Sequence, residues 1–146
     1  MSLQPSLRAR TFVEGFEKLR LRAYLPTSHD VPTIGWGHTG PEVHLGLVWT
    51  LAQAKAAFDA DAAKFANGLN KQLYRIPTTQ GQFDALFSLA YNIGLANLRT
   101  SSLLRLHKAG KYAAAADEFL KWDHQAGQVL PGLLRRSKAE RAIYLS

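Results

Sequence analysis

The stretch LRAYLPTSHDVPTIGWGHTGPEVHLGL, residues 21–47, decides how the rest of the chain is read. It holds four of the 11 glycines and three of the six prolines, with Tyr24, Val31, Thr33, Ile34 and Trp36 among them. Proline and glycine break helices, whereas β-branched and aromatic side chains suit a pleated surface. The stretch therefore reads as a small antiparallel sheet with tight turns. Just beyond it the period changes. Leu51, Ala54, Phe58, Ala62, Phe65 and Leu69 recur at intervals of three and four, which stacks them along one face of a long helix. Thr50, with Gln53 three residues on, supplies a capping box at its start.

Working outward, helical signals fill both flanks. The first helix is expected over about Leu7 to Lys18. Thr79 and Gln82 repeat the capping box ahead of Phe83, Leu86, Phe87 and Ala90, and Gly94 is placed to end that helix in a left-handed conformation. Further helices are expected over about Ser102 to Ala109, stopping at Gly110, then Ala113 to Lys121 and Gly132 to Tyr144. Pro77 and Pro131 each sit just before a helix, where proline is tolerated. There is no internal repeat and no low-complexity tract. The expected class is α+β, mainly helical: a two-lobed single domain, 1–146. Its β-rich lobe, about 19–49, and its helical lobe, about 71–146 plus the N-terminal helix, are joined by the long helix. A cleft between two lobes is a common place for a ligand.

With 146 residues, 47% of them hydrophobic, the chain can bury a core without external staples, and it has no cysteine with which to make disulfides. Its 18 Lys and Arg against 11 Asp and Glu leave a net charge of +7, which attracts polyanions such as nucleic acid, anionic membrane or an acidic cell wall. No segment approaches the roughly 18 consecutive apolar residues of a membrane helix. Residues 1–15 carry Arg8, Arg10 and Glu14 among short apolar pieces, unlike the apolar core of a signal peptide. No stable membrane insertion is expected.

The chemistry-bearing motifs are few. The phosphate loop GxxxxGK[ST], the nucleophile elbow GxSxG and the zinc motif HExxH are all missing from the sequence. His29, His38, His44, His107 and His124 lack helical ligand spacing, so a zinc amidase built on three of them is a remote alternative and no metal is expected. Glu17 ends the first helix, and Asp30 and Thr33 follow in the β-segment. A sugar-cleaving site needs one carboxylic acid to protonate the leaving oxygen and a second group across the ring, as nucleophile or to activate water. A helix end facing a hairpin can hold such a pair. On physics alone a glutamate there is more often a solvated charge.

Two runs carry a resemblance. Phe16-Glu17-Lys18-Leu19-Arg20-Leu21-Arg22-Ala23-Tyr24 and Pro32-Thr33-Ile34-Gly35-Trp36-Gly37-His38-Thr39-Gly40 resemble the phage-type lysozymes, endolysins of glycoside hydrolase family 24. The similarity continues in order through Asp84-Ala85-Leu86, Tyr91-Asn92-Ile93-Gly94, Ser101-Ser102-Leu103-Leu104, Trp122, Gly132-Leu133, Arg135-Arg136 and Glu140. It implies a lysozyme-like fold and an N-acetylmuramidase that causes bacterial lysis, with peptidoglycan as its partner and no cofactor.

The resemblance makes Glu17 the general acid, matched through Leu19-Arg20-Leu21 and Tyr24. That role requires a pKa raised toward working pH by partial burial. The nearby Glu14-Gly15 mimics the family's Glu-Gly pair out of register, and Glu14 is expected on the solvent side. Thr33 matches the family threonine, whose hydroxyl holds the attacking water or the sugar; its plain alternative is a strand residue. The family aspartate falls at Pro26 counting from Glu17 and at Thr27 counting back from Thr33, and neither is acidic. Asp30 is the only carboxylate in the loop. It is taken as the second catalytic group, with a turn residue bonding its own backbone as the alternative and His29 as a less favoured base.

Tyr91 and Asn92 align with residues lining the family's sugar cleft, and Trp122 with its late tryptophan; all three are expected to touch substrate, although Tyr91 equally suits a core. His38, aligned with the same part of the family, is expected beside the substrate site. There it should form a structural ion pair with Asp61 that ties the β-lobe to the long helix. Arg136 is a candidate wall contact, or partner of Glu17, and also has the four-residue spacing of a helix pair with Glu140.

The missing aspartate makes a lytic transglycosylase the alternative, since closing an anhydro ring with the sugar's own hydroxyl needs only Glu17. A nucleic-acid-binding protein is disfavoured because no helix shows a dense basic face, and a non-catalytic wall-binding module is the remaining reading. The resemblance also implies a monomer made in the host cytoplasm and released to the wall through a holin lesion.

Overall fold

The computed structural model describes residues 2–125 and 128–146. Met1, at the head of the stretch read for a leader, lies outside them. The elements in order are α1 (Leu7–Glu17), β1 (Arg20–Tyr24), β2 (Thr33–Gly35), α2 (Leu51–Gln72), α3 (Gln80–Ile93), α4 (Leu95–Arg99), α5 (Ser102–Lys108) and α6 (Tyr112–Glu118). A 3-10 turn (Phe119–Trp122), β3 (His124–Gln125), β4 (Gln128–Val129) and α7 (Pro131–Tyr144) complete the chain. The mainly helical α+β class read from the sequence is the one observed.

The chain divides into two compact units, Arg10–Lys64 and Met1–Ala9 with Phe65–Ser146. Both α1 and α2 run through a division point. The N-terminal helix, expected to go with the helical lobe, thus gives Leu7–Ala9 to one unit and Arg10–Glu17 to the other.

In the Arg10–Lys64 unit, β1 pairs antiparallel with β2, Arg20 opposite Gly35 and Tyr24 opposite Thr33, with an irregularity between. Ala23, Ile34 and Val43 form a small buried core, covered by Leu47 and Trp49. Only these two short strands are regular. Pro26, Pro32 and Pro41 lack the N–H that a longer ladder needs. Ile34 and His38 exchange backbone bonds of 2.9 and 2.8 Å across a turn in which Gly35 and Gly37 have φ of +67° and +77°, a region that favours glycine.

The capping box at α2 forms as expected. Thr50 N–H donates to Gln53 Oε1 at 2.8 Å and Gln53 N–H to Thr50 Oγ1 at 3.1 Å. The buried face of α2 is Ala54, Phe58, Ala62, Ala66 and Leu69; Leu51, read as part of that face, is 46% exposed.

In the other unit α3 is the centre, buried throughout from Gly81 to Ala90, and it packs on α7. A Cβ at Gly81 would lie 2.7 Å from the Ile143 carbonyl oxygen, so the close approach of the two helices requires glycine there. Asp84, 1% exposed, accepts from Ser6 N–H at 3.0 Å, Ser6 Oγ at 2.5 Å and Gln80 Nε2 at 2.8 Å, which compensates the burial of its carboxylate. The Thr79–Gln82 box caps α3 as read. Gly94 ends it with φ +89° but ψ 154°, positive as expected yet extended rather than left-handed helical. The chain therefore starts a separate helix, α4, which no period in the sequence marks. The helix expected to Lys121 stops at Glu118 and tightens into the 3-10 turn, and Pro131 is the first residue of α7 rather than the residue before it.

Candidate active site

Glu17 is the last residue of α1. Lys18, with φ +54°, closes the helix by donating its N–H to Glu14 O at 3.0 Å. The half-buried Glu17 side chain lies on Gly37. A Cβ there would stand 2.5 Å from Glu17 Oε2 and 3.2 Å from its Cδ. Gly37 was not singled out from the sequence as a site residue. Its signal was available in Gly35-Trp36-Gly37, a pair of glycines flanking the turn on which the Glu17 side chain lies.

Replacing Gly37 with Ala is expected to displace the Glu17 carboxylate and to lower any turnover that depends on it more than tenfold, with a backbone cost of roughly 1–3 kcal/mol. Gly46→Ala is the control, because Gly46 has φ +100° but nothing within 4 Å of an added Cβ. Equal turnover in the two variants would remove Gly37 from the site.

Thr33 is buried, and its hydroxyl donates to Val31 O at 3.0 Å. With the proton so placed, the oxygen's remaining capacity is to accept. Asp30 sits on an exposed turn, accepting from Thr27 Oγ1 at 2.9 Å while its N–H donates to Thr27 O at 3.2 Å. His29 is exposed on the same turn, its N–H directed to Thr27 Oγ1 at 3.3 Å. Glu14, expected toward solvent, is half-buried and lines a 240 Å³ hollow with Arg10, Trp36 and Phe58.

His38 is held on both sides. Nδ1 lies 2.7 Å from Asp61 Oδ2, the pair expected from the sequence, and Nε2 lies 2.7 Å from Glu42 Oε1, which the sequence reading missed. Burial alone pulls its pKa down, but the hydrogen bonds and charges of Glu42 and Asp61 outweigh burial and raise it above the ordinary 6.5. The imidazolium in turn lowers the Glu42 carboxyl. Because the folded value is raised, the stabilisation is complete below about pH 6.5 and is lost as pH climbs through the raised value. Asp61→Asn is expected to lower the His38 pKa in an NMR titration. An unchanged value would mean that Glu42 alone sustains the shift.

The remaining candidates belong to the other unit. Tyr91 and Asn92 are half-buried near the end of α3, with the Tyr91 ring 5.0 Å from Phe65 and 6.2 Å from Phe87. Arg136 is buried: its Nη2 donates to Ser88 O at 3.0 Å and its Nε lies 3.4 Å from Glu140 Oε2. Ser88 Oγ also donates to Glu140 Oε2 at 2.5 Å, so the helix pair read from the sequence is present as part of a buried network. Trp122 is half-buried at the end of the 3-10 turn. Among the described residues no three His, Cys, Asp or Glu side chains gather as a metal site, and no helix is long and apolar enough to cross a membrane.

Residues 14–140 match the family model described as phage lysozyme. The endolysin of Bacillus phage B103 is 42% identical over 136 residues, 92% of this chain and 51% of that protein. The endolysin of Salmonella phage P22 is 37% identical over 148 residues, 99% of each chain. The chain thus spans about half the length of the first Bacillus phage relatives, 51% and 56% of them. Among solved structures, the endolysin from Escherichia coli O157:H7 phage FAHEc1 superposes with a TM-score of 0.84 at 34% identity, covering 99% of this chain and 94% of that one. On the family model and these relatives together, the chain belongs to the phage lysozyme family.

Proposed function

We propose that this chain is a peptidoglycan hydrolase of the bacterial cell wall. In this reading it cleaves the glycosidic bond between N-acetylmuramic acid and N-acetylglucosamine and acts as a single-domain monomer. The observation that carries the reading is the Glu17 carboxylate seated on Gly37 at the end of α1. A carboxylic acid fixed at a helix end, half out of water, suits proton donation to a leaving oxygen.

Glu17 gives its proton to the departing sugar oxygen as the C1–O bond breaks. Water attacks C1. Thr33, whose own proton is on Val31 O, accepts a hydrogen bond from that water, and Asp30 takes the water's second proton through the carboxylate that Thr27 orients. Tyr91 and Trp122 offer ring faces to sugars, and the Asn92 amide reads an N-acetyl group. His38 is assigned to holding the turn after β2 in shape, because carboxylates take both imidazole nitrogens, and Arg136 to holding α7 on α3, because Ser88 and Glu140 engage the guanidinium.

One observation favours a second reading. The Asp30 turn is exposed, and its bonds to Thr27 are those of a self-contained turn. If Asp30 is only that, the muramyl sugar's own hydroxyl attacks C1, and Glu17 alone manages the proton. The test is digestion of purified peptidoglycan by wild type, Glu17→Gln and Asp30→Asn, with muropeptides identified by mass spectrometry. Free reducing ends, lost in the first variant and strongly reduced in the second, support the hydrolase. Anhydro products that survive Asp30→Asn make the chain a transglycosylase, and binding without any cleavage by wild type makes it a wall-binding module.

A further inference from the structure

Between Asp84 and Asp117 the chain has no acidic residue, yet Arg99, Arg105, Lys108 and Lys111 fall in that interval. Arg99, Arg105 and Lys108 line one surface hollow of 330 Å³. All three are exposed, and none has an ion-pair partner among the described residues. Two cations elsewhere in the same unit are matched instead, Lys121 with Glu118 at 2.9 Å and Arg141 with Asp117 at 3.0 Å. Like charges around a hollow repel one another, and an anion in the hollow relieves the repulsion. The hydroxyl of Ser102 adds a neutral donor to the same walls.

We propose that this hollow binds phosphate groups of a phosphodiester-linked polyol chain, an anionic polymer carried by a wall beside its glycan. Guanidinium forks take phosphate oxygens in pairs, an ammonium adds a point charge, and three cations around one hollow can share the several oxygens of neighbouring phosphates. The lining has no aromatic ring on which a nucleobase could stack. Its one apolar side chain, Leu104, is 1% exposed, so nothing there can insert into a bilayer. The choice of a wall polymer rests on the wall activity proposed above; the anion site itself does not.

The probe is soluble poly(glycerol phosphate), titrated into the full chain by calorimetry at several salt concentrations. Wild type is expected to bind it. The triple variant Arg99→Gln, Arg105→Gln, Lys108→Gln should bind at least tenfold more weakly, with its log–log salt slope reduced by roughly 2, about 0.7 for each lost phosphate contact. A control with the same charge change, Lys55→Gln, Lys71→Gln, Lys138→Gln, should stay within about twofold at the same salt. Equal losses in the two triple variants would show that net charge does the binding, and would overturn the site. So would polyglutamate binding as tightly as the phosphate polymer, or no binding by wild type. Tighter binding to phosphatidylglycerol vesicles or to a single-stranded oligonucleotide, lost in the same triple variant, would overturn the wall polymer as occupant. Glu17→Gln should bind the polymer like wild type, so failure of the cleavage reading and failure of this one are separately visible.

Discussion

Glu17→Gln is expected to lower glycan cleavage by roughly 10²–10⁴-fold while leaving the folded chain intact. The amide has the shape of the carboxyl group and lies on Gly37 equally well, but it cannot surrender a proton to the leaving oxygen. Melting temperature should move by no more than about 2 °C, since no core packing changes. The register is tested by Glu14→Gln, one turn earlier on the same helix, which should retain most of the activity. Loss of cleavage in Glu14→Gln with retention in Glu17→Gln would mean that the wrong glutamate had been taken as the acid.

Glu140→Gln should produce the largest loss of stability. The Arg136 and Glu140 side chains are 5% and 1% exposed, and Ser88 bridges them from α3. Removing the negative charge takes from the buried guanidinium the carboxylate 3.4 Å away, a loss of roughly 3–5 kcal/mol. For a chain of this size that lowers the melting temperature by roughly 6–20 °C. Replacing both partners with apolar residues, Arg136→Met with Glu140→Leu, should recover much of it, because neither of these two charges then stays buried. A single variant melting within about 2 °C of wild type would show that the pair contributes little.

What the sequence disclosed follows from which interactions are local. The two capping boxes, at Thr50 and Thr79, were readable because donor and acceptor lie three residues apart, and both form with the bonds expected of them. The long period of α2 was readable for the same reason. The strands β3 and β4 were not, since two residues carry no period. Leu51 belonged to the helical pattern yet is exposed, because only tertiary packing decides which turn of a helix is covered. At the candidate site the resemblance pointed to Glu17, Thr33 and the His38–Asp61 pair. Glu42 beside His38 and Gly37 beneath Glu17 needed coordinates, as each matters only through where the turn after β2 places it. Composition singled out Asp30 as the lone carboxylate of its loop, whereas its bonds to Thr27 follow from the turn geometry.

The Ser6–Asp84 bonds have a consequence for synthesis. Residues 2–9 belong with Phe65–Ser146, so they leave a ribosome well before the neighbours they pack with. The Arg10–Lys64 unit has all of its own residues once Lys64 has emerged. Residues 2–9 must wait until α3 is translated before Ser6 can meet Asp84. A nascent chain stalled before Asp84 should therefore stay open to proteases at residues 2–9, and one stalled well after Ile93 should not.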